Sequence, residues 1–376
     1  MYQIKLFNKI STVGTSRLDA AKYHCAEESD SYDAILVRSA KLHDTVFPEN
    51  CKCIARAGAG VNNIPLDRCA DEGIVVFNTP GANSNAVKEL VICGLLLASR
   101  KVVQGANWVQ SLSGTPDIGP AAEKGKATYA GPEIMGKKLG VIGLGAIGWK
   151  VANAAVALGM DVIGYDPYLS DASKAALDPK VAVVTLEEIF ADADYITVHV
   201  PLLDSTRSLI NAETIAKMKD GVRIVNFARG ELVDTAAMDA ALTAGKVAAY
   251  VCDFASEEML AQPNAIVLPH LGASTPESED NCAVMACDEV SDFLENGNIV
   301  NSVNFPAVSL GAKNGGPRLL VLAKAGVDVS ARLAAQGVAV SANSGGTRGN
   351  YSAFLADVDQ VVSNVDGDGI LAVRTF

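Results

Sequence analysis

Only four histidines occur in this chain of 376 residues, which limits the general bases open to any chemistry it performs. Long hydrophobic runs are missing as well. The best, Leu90 to Ala98, is half the roughly 18 residues of a membrane span, so no membrane partner is expected. A charged leader with an apolar core is absent, because Met1-Tyr2-Gln3-Ile4-Lys5 runs straight into a strand-like pattern; a soluble, cytoplasmic protein is the expectation. Positive charge is in deficit. A net charge of -12 argues against nucleic acid as a partner and means that an anionic small molecule needs a local basic pocket. The eight cysteines lack pairing: Cys25, Cys69, Cys93, Cys252, Cys282 and Cys287 are scattered, and Cys51-Lys52-Cys53 has no second pair. Reduced, mostly buried thiols and no metal are expected.

What is present is a globular composition, 49% apolar and 20% charged, in a chain long enough for two or three domains. Short apolar runs at Ile4 to Phe7, Ala34 to Val37, Cys53 to Ala57 and Ile74 to Phe77 alternate with helical segments, the rhythm of a parallel α/β sheet. A helix is expected from Ser84 to about Gln104, then a long exposed loop over 111–136, rich in Gly, Pro and Lys. Six further strands follow, at Leu139 to Ile142, Asp161 to Tyr165, Tyr195 to Val198, Arg223 to Phe227, Ala248 to Asp253 and Ala265 to Leu268. They fit a complete doubly wound sheet. Beyond a linker at Gly311 to Gly316, the remainder reads βαββαβ, with helices at Ser330 to Gln336 and Asp359 to Asn364.

Gly143-Leu144-Gly145-Ala146-Ile147-Gly148 matches the spacing of a dinucleotide-binding turn, and its context agrees on three counts. A strand precedes it, a helix from Ile147 to Leu158 follows, and Asp166 closes the next strand about twenty residues on. Gly143 permits the tight turn, Gly145 lets the backbone approach a pyrophosphate, and Gly148 lets the helix lie against the sheet. Asp166 accepts from ribose hydroxyls and repels a 2′-phosphate, which points to NAD over NADP.

Hydride chemistry on a hydroxy acid needs a base for the hydroxyl proton and a cation for the carboxylate, both at the carboxyl ends of strands. His24 and His43 lie in no motif. His199, in Thr197-Val198-His199-Val200-Pro201, reads equally as structural or functional, whereas His270 stands in an exposing turn before Leu271-Gly272-Ala273-Ser274 and is the expected base. Arg229 ends a strand before Gly230, and its planar fork suits a carboxylate. Spacing leaves Asp253, Glu257 and Glu258 open as the group that orients the imidazole.

Together, Gly143 to Gly148, Asn226-Phe227-Ala228-Arg229-Gly230 and Pro269-His270-Leu271-Gly272-Ala273-Ser274-Thr275 resemble the D-isomer-specific 2-hydroxyacid dehydrogenases from about residue 1 to 305. Val37-Arg38-Ser39, Ala55 to Val61 and Asn78 to Ser84 are similar to the substrate-side segments of members that oxidise 3-phospho-D-glycerate. The resemblance implies Arg229, Glu258 and His270 as a catalytic trio, and Val200, Pro201, Phe227, Ala228, Asp253, Gly272 and Ala273 beside NAD. It also implies Arg38, Ser39, Ala57 and Gly58 on the substrate, with backbone N–H groups near Ala57 and Gly58 helping; Lys124 and Lys126 are weaker phosphate candidates.

The implied fold is a Rossmann-type doubly wound sheet over 96–274, inserted in a flavodoxin-like substrate domain of 1–95 and 275–305. A small ACT-like domain over 316–376 completes it, with an amino-acid effector and a homo-oligomer as expected partners. Asn62 and Met259 depart from the acidic residue and proline usual in the family, and Ala323 and Ala339 replace asparagines that bind serine in some members. The rival readings are a hydroxypyruvate or glyoxylate reductase and an NAD-sensing binding protein.

Overall fold

The computed structural model describes residues 1–376, which divide into two compact units, Met1–Asn83 with Pro276–Phe376 and Ser84–Thr275. In the first unit, strands β1 (Tyr2–Phe7), β2 (Tyr23–Ala26), β3 (Ala34–Val37), β4 (Cys53–Arg56) and β5 (Val75–Asn78) form a parallel sheet ordered β2-β1-β3-β4-β5. Its central strands are continuous apolar runs because both faces are covered. Ala34 and Leu36 point to one core, which the helix Pro276–Asn296 completes with Ala283, Val290 and Phe293; Ile35 and Val37 point to another, with Leu42 and Cys69. Strand β2, a mixed Tyr-His-Cys-Ala segment at the sheet edge, carries no pattern that sequence reading could detect.

The second unit holds seven parallel strands, β6 (Lys138–Ile142), β7 (Asp161–Tyr165), β8 (Ala182–Val183), β9 (Tyr195–Val198), β10 (Val222–Asn226), β11 (Val247–Cys252) and β12 (Ala265–Val267). Their order, β12-β11-β10-β9-β6-β7-β8, reverses between β6 and β9, and a crevice for a ligand opens beyond the carboxyl ends at such a point. The six expected strands are all there; the seventh, β8, is two residues long.

Two expectations for this unit need correction. The helix from Ser84 ends at Ser99, not near Gln104, and a new helix spans Val102–Ser111. Side chains take the last-turn carbonyls: Ser99 Oγ donates to Leu95 O and Arg223 Nε to Ala98 O, which ends the ladder. The stretch 111–136 is not one long loop. It contains a helix, Ile118–Gly125, and a 3-10 turn, Lys126–Tyr129, held by Trp108 stacked on Tyr129 at 5.1 Å. Pro120 reads as a breaker in sequence but falls in the first helical turn, where the missing N–H costs nothing.

The C-terminal residues return to the first unit as an antiparallel sheet of β13 (Arg318–Lys324), β14 (Val340–Arg348), β15 (Tyr351–Val358) and β16 (Ile370–Thr375), ordered β14-β15-β13-β16. The helix Val329–Ala335 covers one face, against Leu319 and Val321. On the other face Leu320, Leu322, Ala353 and Leu355 join the core beneath the parallel sheet, so the segment Gly311 to Gly316 lies inside one unit. Fully buried Arg318 pins that segment: it pairs with Asp357 at 2.6 Å and donates to the carbonyls of Gly311 and Asn296. The helix expected at Asp359 to Asn364 does not form. Its two valines, serine and asparagine are weak helix formers in a run too short to nucleate, and Val362 and Val365 bury themselves as irregular chain instead.

Candidate active site

Three glycines shape the turn after β6, and they do so differently. Gly143 has φ of 92°, and a Cβ there would lie 2.9 Å from the His199 carbonyl. At Gly148, the first residue of the helix Gly148–Ala157, a Cβ would lie 1.8 Å from the Gly143 oxygen. Gly145 has no atom within 4 Å of its Cβ position, so internal packing does not require a glycine there. Its bare backbone suits an external group approaching the helix N-terminus, as a pyrophosphate does. Asp166, at the end of β7, is already fixed: its carboxylate accepts from the backbone N–H groups of Leu144 and Tyr168, both at 2.9 Å. These features fit a dinucleotide.

His199 is tied into the fold beneath the glycine turn. Its Nε2 bonds Thr197 Oγ1 at 3.0 Å, its backbone N–H donates to Ile142 O beneath the glycine turn, and desolvation pushes its pKa down to about 4. Val200 lies against the turn, its methyl 3.0 Å from the Gly143 Cβ position, and Pro201 follows it, exposed. His24 and His43 are exposed in the other unit. His270 is therefore the histidine left at the strand ends of the nucleotide unit.

Arg229, Asp253 and His270 converge there. Asn226, fully buried at the end of β10, accepts from the Ala228 N–H and donates to Arg229 O, fixing Phe227-Ala228-Arg229. The exposed Arg229 guanidinium forms no ion pair; its one hydrogen bond is to Ala228 O. Asp253 is buried at the end of β11, with Gly272 beside it, and neither carboxylate oxygen has a side-chain hydrogen-bond partner. Desolvation raises its pKa, against the pull of the charges on His270 and Arg229. The backbone N–H groups of Gly272 and of Asp253 itself also favour its charged form. The His270 ring is exposed and meets Phe254 edge to face, centroids 5.4 Å apart at 87°. Phe254 in turn packs on Gly230.

Glu258 is not joined to this group. It sits exposed in the first turn of the short helix Glu257–Ala261, capped by Ser256, and makes neither hydrogen bond nor ion pair with His270. Met259, where the family usually has proline, is buried in the core and anchors that helix.

In the first unit, Arg38 follows β3 and pairs with Glu279 at 2.6 Å, and the Ser39 N–H donates to Asn8 Oδ1. The Ala57 and Gly58 N–H groups are already spent, on Val37 O and Arg56 O, which corrects the expectation that they help to hold substrate. Arg56, missed in the sequence although it lies within Ala55 to Val61, is a second basic residue at these strand ends. Its guanidinium lies over Gly58, whose φ is 151°, and its Nε donates to Arg38 O. Lys126 is paired with Glu123, and Lys124 lies in the last turn of its helix.

Comparison with known proteins fits this geometry. Residues 92–272 match the model for the D-isomer specific 2-hydroxyacid dehydrogenase, NAD binding domain. The chain is 39% identical over 270 residues to the hydroxypyruvate reductase of Thermotoga maritima, covering 69% of this chain and 83% of that one. It belongs to the D-isomer specific 2-hydroxyacid dehydrogenases. It is also 34% identical over 329 residues to the D-3-phosphoglycerate dehydrogenase of Bacillus subtilis, covering 82% of this chain and 60% of that one. The chain spans only 50 to 60% of the length of three phosphoglycerate dehydrogenases that it matches. Among solved structures, NAD-bound 3-phosphoglycerate dehydrogenase of Entamoeba histolytica superposes with a TM-score of 0.64 at 26% identity, over 81% of this chain and 98% of that one. NAD is thus the cofactor, and the turn at Gly143 to Gly148 with Asp166 falls within the residues that match the NAD-binding domain.

Proposed function

We propose that this dehydrogenase oxidises 3-phospho-D-glycerate to 3-phosphohydroxypyruvate. The observation that carries the reading is the pair of arginines, Arg38 and Arg56, at the ends of adjacent strands in the first unit, two planar forks that suit a phosphate dianion. The likeness to phosphoglycerate dehydrogenases supports it. Bound NAD supplies the acceptor for the hydride that leaves C2. His270 takes the hydroxyl proton, for which its exposed ring at the strand end is suited. Arg229, free of any ion pair, grips the substrate carboxylate with its planar fork. Asp253 favours the charged imidazole as it forms.

NAD reduction measured with 3-phosphoglycerate, D-glycerate and D-lactate tests the proposal. A preference of tenfold or more in kcat/KM for the phosphorylated acid is expected; equal or better use of glycerate would favour a hydroxypyruvate reductase, the activity named for the Thermotoga relative.

The proposal extends to partners. The helices Val102–Ser111 and Ile118–Gly125 bury no residue and leave Val102, Val109 and Ile118 exposed, surfaces that a second copy would cover; light scattering decides this. An amino-acid effector at the C-terminal sheet is tested by adding serine to the same assay.

A further inference from the structure

We propose that Glu279 is a resident counter-ion, which holds Arg38 until the phosphate of an incoming substrate displaces it and thereby sets the KM for phosphorylated acids. This deepens the reading above and rests on it.

Strands β3 and β4 are paired with Val37 opposite Arg56, so Arg38 and Arg56 leave the same edge of the sheet, and the Arg56 Nε bond to Arg38 O ties the two segments together. Glu279, in the first turn of the helix Pro276–Asn296, sets its Oε1 2.6 Å from Arg38 Nη2. Three other acids of that helix are engaged elsewhere: Asp280 accepts from Ser11, Asp288 pairs with Arg17, and Glu289 is buried against Asn301.

The Arg38 and Glu279 side chains are 39% and 40% exposed, so the pair is open to solutes and weak enough to exchange. A phosphate dianion brings two charges and three oxygens against one carboxylate. An unphosphorylated acid brings one carboxylate with a single charge and leaves the pair closed. Glu279 therefore acts as a threshold: binding at Arg38 is weakened for every anion, and a dianion still exceeds it.

The experiment compares wild type, E279Q and E279D. In E279Q the KM for 3-phosphoglycerate should fall about two- to fivefold, the usual worth of a half-exposed pair expressed as an affinity ratio. The KM for D-glycerate should stay unchanged, and E279D should keep wild-type values. Inorganic phosphate binding, followed by calorimetry without turnover, should tighten by the same factor, and in a R38Q background the effect of E279Q should vanish. An unchanged or higher KM for the phosphorylated acid, or an equal shift for glycerate, would overturn the proposal. If wild type shows no preference for the phosphorylated acid, the substrate reading fails by itself, and the calorimetric comparison still decides the role of Glu279.

Discussion

Replacing Gly145 and Gly148 separately with alanine divides the cofactor turn into a part the fold needs and a part the ligand needs. A methyl group at residue 148 would sit 1.8 Å from the Gly143 oxygen, so backbone must part by more than 1 Å to reach 3.0 Å, the closest that real Cβ atoms approach. Overpacking of this kind costs about 1–3 kcal/mol, and with backbone on both sides the upper end applies. In a unit of this size Gly148→Ala should lower Tm by roughly 4–10 °C. A methyl group at residue 145 meets nothing within 4 Å, so Gly145→Ala should leave Tm within about 2 °C of wild type or raise it slightly. The methyl group stands instead where the pyrophosphate approaches, and a clash of about 1.4–2.8 kcal/mol there weakens NAD binding roughly tenfold to a hundredfold. Thermal denaturation and NAD titration, the latter read from fluorescence of neighbouring Trp149, measure both quantities on the same samples. If Gly145→Ala destabilises as much as Gly148→Ala, or binds NAD as tightly as wild type, the division of roles is wrong.

Three further outcomes follow from the same geometry. His270→Ala should cut turnover by about two to four orders of magnitude and leave the NAD dissociation constant almost unchanged; near-parental activity removes His270 from the mechanism. His199 titrates near 4 in the folded protein against an ordinary 6.5, so the unfolded chain takes up its proton first as the medium is acidified. Its contribution to stability is full above pH 6.5 and is lost toward pH 4, by at most roughly 3 kcal/mol, and His199→Gln should flatten that part of a urea-denaturation profile. Arg318→Ala leaves two carbonyls without their donor and a half-exposed Asp357 without its partner and should cost about 1–3 kcal/mol. Loss of a single cooperative transition for the whole first unit, and not for the C-terminal sheet alone, is the expected signature in calorimetry.

The readable parts of this protein in sequence were those governed by local rules. Buried parallel strands are runs of apolar residues, so Ala34–Val37 and Asp161–Tyr165 appear in the structure with the bounds read from the chain. A dinucleotide turn needs three glycines and an acid at set intervals, so Gly143 to Gly148 and Asp166 were visible without coordinates. Edge strands such as Ala182–Val183 carry no such period and were missed. Trp108 stacking on Tyr129, twenty-one positions on, turned an apparent loop into a helical hairpin through contacts that no local pattern encodes.

The site divides in the same way. Arg229 and His270 were legible from the turns that expose them, whereas pairings across the chain were not. Glu279 neutralises Arg38 from 241 positions away, Arg56 reaches over Gly58, and Phe254 meets His270 across two strand ends. The chain by itself determined the layers and the cofactor, because each depends on residue type at short spacing. Tertiary structure alone decided which charges are already spent and whether the C-terminal sheet shares a core with the first, because pairing and burial are set by long-range packing.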